Sequence, residues 1–178
     1  LEVINSQVKN LTAFLDSYHR LTHLPEPEYK TVSVPALFTK LERLLQAEPR
    51  SERVVYCDGK ADKSTGKELQ VYGDANLLTL ALINLIRNAL QAVEGQEDGI
   101  VRVDTCAGAT GHLLITITDN GPGIPPERLS AIFTPFFSTK SGGSGIGLPI
   151  SQRIMQLHGG QLSVSSIPNV RTEFRMEF

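Results

Sequence analysis

Residues 76–93 read Asn-Leu-Leu-Thr-Leu-Ala-Leu-Ile-Asn-Leu-Ile-Arg-Asn-Ala-Leu-Gln-Ala-Val. At helical spacing the apolar side chains cover most of the circumference, so this helix must be buried on most sides. Gly73-Asp74 sets its start, with Asp74 as a cap, and the glycines at 95 and 99 end it. The partners that can bury it are short β-branched runs at 100–105, 113–118, 161–165 and 172–178, and a second helical run at 146–157. The expected fold is therefore α+β, a two-layer α/β sandwich. Its sheet is mixed and mostly antiparallel, with about three helices stacked on one face.

Upstream, residues 29–34 alternate like a strand, and 35–47 read as a helix with Pro35 in its first turn. The runs at 53–57 and 68–72 are expected to form a hairpin across a polar, glycine-containing connection. Ile4, Val8, Leu11, Leu15 and Tyr18 mark an amphipathic helix over 1–24. Leu24-Pro25-Glu26-Pro27-Glu28 then stops it and forms a stiff linker. The expected organisation is a helical segment at 1–24, a linker at 25–30 and one domain at 31–178.

Seventeen Lys and Arg stand against 19 Asp and Glu in 178 residues, a net charge of −2, which makes no case for nucleic acid. No apolar run approaches the ~20 residues needed to span a bilayer. Cys57 and Cys106 are too few for a disulfide framework and are expected to be ordinary buried thiols in a reducing, cytoplasmic setting. The opening Leu1-Glu2-Val3 reads as a cut from a longer protein.

The chemistry concentrates in 119–149. Asp119-Asn-Gly-Pro-Gly follows the strand-like run at 113–118. Phe133-Thr-Pro-Phe-Phe-Ser-Thr-Lys140 leads into Ser-Gly-Gly-Ser-Gly-Ile-Gly147-Leu148 and the next helix. Glycines at this density let backbone N–H groups approach and cradle an anion, here at a helix N-terminus. Asp119 is either a turn former or a strand-end carboxylate that accepts from a ligand amine. Asn84 and Asn88, four apart, share one face of the buried helix. Their carboxamides either bond neighbouring backbone or serve a hard cation such as Mg²⁺. Lys140 beside the glycines is suited to a phosphate. Phe133, Phe136 and Phe137 are read as packing or hinge residues.

These stretches resemble the four boxes of the catalytic, ATP-binding domain of two-component sensor histidine kinases, a class shared with type II topoisomerases and a heat-shock chaperone. Asn84-Leu-Ile-Arg-Asn88 is similar to the N box and Asp119-Asn-Gly121-Pro-Gly123 to the G1 box. Phe133 to Lys140 resembles the F box, in a form like the nitrogen-regulation subgroup. Gly143-Ser-Gly145-Ile-Gly147-Leu148 resembles the G2 box. The resemblance covers roughly 68–178 and implies a Bergerat-type ATP-binding fold with ATP and Mg²⁺ as cofactors. It assigns Asn88 to the metal, Asn84 to the phosphates and Asp119 to the adenine amine, with Gly121 and Gly123 near the ring. Lys140, Gly143, Gly145, Gly147 and Leu148 go to the lid over the triphosphate, and Thr172 to the adenine.

ATP-hydrolysing members of the class carry a glutamate where Asn84 stands, and asparagine is a poor general base. The resemblance thus implies transfer of the γ-phosphoryl group to a histidine on an upstream helix, and onward to a response regulator. It also implies a homodimer through a helical hairpin, with 1–24 as the end of its second helix, in a parent acting in the cytoplasm with or without an anchor in the inner membrane. His19, His23, His112 and His158 do not match the acceptor pattern. Two features depart from the family: Pro149 early in its helix, and Arg171 where a glycine precedes the last-box threonine. Arg171 and the missing acceptor motivate an alternative, a nucleotide-binding regulatory module without transfer. A serine kinase or ATPase of the same fold is a third reading, opposed by Asn84.

Overall fold

The structure is a computed structural model that describes residues 24–57, 68–107, 112–140 and 143–178. The chain runs β1 (Lys30–Ser33), α1 (Val34–Leu45), a 3₁₀ turn (Ser51–Arg53), β2 (Val54–Tyr56), β3 (Gln70–Gly73) and α2 (Ala75–Ala92). It continues with β4 (Val101–Ala107), β5 (Leu113–Asp119), α3 (Pro126–Leu129), α4 (Gly147–Leu157), β6 (Gln161–Ile167) and β7 (Arg171–Glu177).

Strands β2-β4-β5-β7-β6 form the main sheet in that order, and β1 pairs with β3 in a small second sheet. Only β2–β4 is parallel in the main sheet; β4–β5, β5–β7 and β6–β7 are antiparallel. The two-layer α+β expectation holds. Strand alternation divides the faces. Val101, Val103, Ile115, Ile117, Phe174 and Met176 are buried beneath the helices, whereas Arg102, Cys106, Ser163 and Arg175 are exposed.

Helix α2 lies in the core. Leu78, Ala81, Leu82, Leu85 and Ile86 are fully buried, as are Ile154 and Met155 of α4. The face of α2 that escapes carries Asn84, Arg87, Asn88 and Gln91 at i, i+3, i+4 and i+7, one polar stripe along an otherwise apolar cylinder. Asp74 begins the helix: its Oδ1 accepts from the N–H groups of Asn76 (2.8 Å) and Leu77 (3.0 Å). Pro149 is the third residue of α4 and is buried, a position where its missing N–H costs nothing.

The segment leading into the domain is tied to the far ends of both helices. The Glu28 N–H donates to Asp74 Oδ2 at 2.8 Å, and the Tyr29 hydroxyl donates to the Leu157 carbonyl at 2.6 Å. Tyr29 stacks on Tyr72 and meets the His158 ring edge-on. His158 Nε2 accepts from the Asp74 N–H (2.9 Å), which leaves Nδ1 as the donor to the Ile154 carbonyl (2.7 Å).

Three expectations need correction or placement. The runs at 53–57 and 68–72 are not a hairpin: β2 pairs with β4, and β3 pairs with β1. Residue alternation marks a strand without naming its partner, and a three-residue β2 completes the sheet edge instead. The cysteines are not both buried: Cys57 is half-buried and Cys106 is exposed on the open sheet face. The helix expected over 1–24 lies, apart from Leu24, outside the described residues. Among the described residues no helix is long and apolar enough to cross a membrane, and no His/Cys/Asp/Glu cluster has metal-site spacing.

Asp74→Ala removes the cap of α2 and the anchor for Glu28 together. The expected loss of folding free energy in urea denaturation is about 1–2 kcal/mol. A loss under about 0.5 kcal/mol would mean that neither bond matters to stability.

Candidate functional site

Register places Asp119 at the end of β5 directly beside Thr172 at the start of β7. Both continue the core-facing alternation of their strands and are almost wholly buried, at 2% and 4% exposure. Burial raises the Asp119 carboxyl to about 6, against the Gly121 N–H and the Lys140 charge, which favour its ionised form. The Gly121 N–H donates to Asp119 Oδ1 at 2.9 Å. A side chain at Gly121 would start 2.7 Å from that oxygen and 3.0 Å from Ala92 Cβ, so this turn has room only for glycine. Gly123 adopts φ +74°, with the Ile167 carbonyl 2.8 Å from where a Cβ would lie.

Ser166 joins these pieces. Its hydroxyl accepts from the Ile124 N–H at 2.8 Å and donates to the Arg171 carbonyl at 3.1 Å, with Thr172 Oγ1 also 3.1 Å away. The turn after β5 is thereby fastened to β6 and β7.

Opposite this floor lies the polar stripe of α2. Asn84 Nδ2 donates to the Gly147 carbonyl at 3.4 Å, a long bond. The Asn88 carboxamide has no partner among the described residues and faces the same space. Arg87, also in the lining, is paired with Glu48, whose Oε1 accepts from Nε at 3.0 Å and also from Nη2. Lys140 reaches across from the loop side: its Nζ donates to Gln91 Oε1 at 2.8 Å and to the Asn88 carbonyl at 3.4 Å. Burial holds the Lys140 ammonium below its usual range, opposed by Asp119 and Glu94.

The loop between α3 and α4 is pinned at its root. The Phe136 N–H donates to the Gly145 carbonyl at 2.9 Å, with φ +66° at Phe136 and +65° at Gly145. A Cβ on Gly145 would lie 2.6 Å from the Phe136 carbonyl carbon. Phe133 and Phe137 pack against the core, and Phe136 is exposed.

These walls enclose a cavity of about 590 Å³. Asn84, Asn88, Asp119, Gly123 and Thr172 line it, as do Lys140, Gly143, Gly145, Gly147 and Leu148. Gly121 supports Asp119 from below instead. Among the described residues, Asp119 is the only acidic one in the lining, and no histidine lines it. Arg171 does not enter: its guanidinium pairs with Glu173 (3.2 Å), and it stands on the opposite sheet face from Thr172. His158 is engaged at the far end of α2, and His112 Nδ1 bonds the Phe178 carbonyl.

Sequence reasoning passed over Gln91, Arg87, Arg128 and Ser166. The first two share the Asn84–Asn88 face and were legible from i+3 spacing. Ser166 and Arg128 reach the site only through the fold.

The family of histidine kinase-, DNA gyrase B- and HSP90-like ATPases matches residues 73–178. The chain belongs to this family. It is similar to the sensor histidine kinase ZraS of Salmonella typhimurium, 43% identical over 55% of this chain and 21% of that protein. It also resembles the sensory histidine kinase/phosphatase NtrB of Vibrio alginolyticus, 33% identical over 96% of this chain and 49% of that protein. The chain thus spans at most about half the length of these relatives. Among solved structures, the nucleotide-free catalytic domain of the histidine kinase ThkA superposes with a TM-score of 0.69. It is 27% identical over 85% of this chain and 95% of that one. Mycobacterial sensor histidine kinase MprB matches comparably, at TM-score 0.68 and 27% identity over 85% of this chain and 97% of that one.

Because Asp119 holds its proton more tightly when folded, stability falls as pH rises from about 4 to about 6, and the cost is fully present above that window. Asp119→Asn is therefore expected to stabilise the domain at pH 7.5 by about 1–3 kcal/mol and to flatten this slope. Denaturation at pH 4.5 and 7.5 checks it; an unchanged slope would show that Asp119 is not the group responsible.

Proposed function

We propose that this chain is the catalytic domain of a sensor histidine kinase. In this reading it binds Mg-ATP and directs the γ-phosphoryl group to a histidine on an upstream helix of its parent protein. The observation that carries the reading is the distribution of charge in one cavity. Among the described residues of the lining, a single buried carboxylate, Asp119, stands beside Thr172, while the other wall offers carboxamides, glycines and a lysine and no acid.

The adenine amine belongs at Asp119, since an ionised carboxylate accepts hydrogen bonds strongly and Thr172 adds a hydroxyl beside it. The triphosphate belongs between Asn84, Asn88 and Lys140, under the glycines of 143–147. Mg²⁺ takes oxygen ligands and keeps several waters. The unpartnered Asn88 carboxamide fits it as one protein ligand, with phosphate oxygens supplying others. The ion would neutralise charge on the transferring group. The chain's part is orientation, and among the described residues no side chain lining the cavity near Asn84 is a base able to activate water. In transfer, the acceptor imidazole nitrogen bonds to the γ-phosphorus as the bond to the ADP oxygen breaks.

Residues 1–24 belong in this reading to the end of a dimerising helical hairpin, 25–30 to the linker and 31–178 to the catalytic domain. The NtrB similarity extends over 96% of the chain, beyond the family match at 73–178, which supports a kinase-like segment upstream. A response regulator receiver domain is the onward partner, and the parent acts on the cytoplasmic side, with or without a membrane anchor.

Calorimetric titration is the direct test. Mg-ATP binds the unaltered chain, and Asn88→Ala removes the magnesium-dependent part of the affinity while the melting curve stays intact. Unchanged affinity in that variant would sink the metal assignment. Binding also weakens as pH falls from 7 to 5, because Asp119 becomes protonated through about 6. In Asp119→Asn the affinity drops by about 10- to 100-fold and loses that pH dependence. A nucleotide that binds but never transfers, even with the upstream helices restored, would favour a regulatory module instead.

A further inference from the structure

Gln91 stands nearly one turn beyond Asn88 on the polar stripe of α2 and has no task in the reading above. Its Oε1 receives Lys140 Nζ at 2.8 Å, and the Asn88 carbonyl receives the same ammonium at 3.4 Å. The lysine backbone is held as well: its N–H donates to Ser138 Oγ at 3.2 Å, and its carbonyl accepts from the Gly143 N–H at 3.2 Å. A lysine side chain is rich in rotamers, so on a glycine-rich loop an untied ammonium would spread its charge widely. Here the charge is fixed at both ends.

We infer that Gln91 is a positioning residue that sets the Lys140 ammonium beside Asn88, ready for the phosphates of the nucleotide. The inference rests on the nucleotide reading proposed above. A carboxamide suits the task because it accepts one N–H of the ammonium without cancelling its charge. With the Asn88 carbonyl taking a second N–H, the third is left for an anion. The other cations lining the cavity do not do this work. Arg87 is committed to Glu48, and Arg128 has no partner among the described residues to orient it. Pre-placed charge of this kind binds an anion without a reorganisation cost.

The test is titration of the whole chain with Mg-ATP and, separately, with adenosine. Gln91 is exposed, so Gln91→Leu keeps the helix and a side chain of similar volume while removing the acceptor. Mg-ATP affinity is expected to fall by about five- to tenfold, and adenosine affinity to stay unchanged. Gln91→Glu keeps the bond but cancels the charge, and is expected to weaken Mg-ATP at least as much as the leucine does. In a Lys140→Met background, Gln91→Leu then has no further effect, the signature of two residues acting through one contact. The inference is overturned if Gln91→Leu leaves Mg-ATP affinity unchanged, weakens adenosine equally, or keeps its full effect without the lysine. Absence of nucleotide binding by the unaltered chain would remove the functional reading as well. Binding that ignores Gln91 overturns this inference alone.

Discussion

Leu78, Leu82, Leu85 and Ile86 lose all exposure to water as α2 packs on the sheet beside α4, and this burial sets the rotation of the helix. Each such side chain contributes about 1.5–3 kcal/mol. Turning α2 by even one residue, about 100°, would expose several of them and bury carboxamides in their place. The polar stripe therefore has a single orientation available. Asn84, Asn88 and Gln91 face the cavity because the rest of the helix cannot.

The floor of the cavity carries an opposing cost. Asp119 sits where its strand predecessors Ile115 and Ile117 are wholly buried, and the same exclusion of water pushes its carboxyl to about 6. The domain tolerates this through the Gly121 N–H, the nearby Lys140 charge and the Ser166 bonds that hold the surrounding turn. A group kept against its own solvation is a common mark of a site that interacts with something else. The glycines serve that arrangement. Gly121 lets the chain pass over the carboxylate, and Gly123 and Gly145 hold turns that side chains would block.

The far ends of α2 and α4 show how the same two helices face both ways. Asp74 and His158 hold the segment arriving from residue 28, while Asn88 and Gly147 line the cavity at the opposite ends. Any load on the incoming chain is applied to the two elements that carry the cavity.

Amphipathic period, capping residues and glycine punctuation made most elements legible, because each depends on neighbours within one or two turns of chain. The strip of Asn84 and Asn88 was readable for the same reason, and Gln91 was open to the same reading. The partner of a strand is another matter. Nothing local in 53–57 or 68–72 tells a hairpin from two strands in separate sheets, and the choice was made by which edges were left to fill. Sequence likewise left open whether Arg171 intrudes on the cavity. The pleat of β7 turns it to the opposite face from Thr172, a result of alternation in a strand whose inner face was decided by Phe174 and Met176. What the sequence determined by itself was the set of elements and the four motif-bearing stretches, since these rest on short-range geometry. Only the tertiary structure decided that Asp119 lies beside Thr172 and that Lys140 meets Gln91. Those contacts join residues 53 and 49 positions apart, and they exist only because the apolar face of α2 has nowhere else to go.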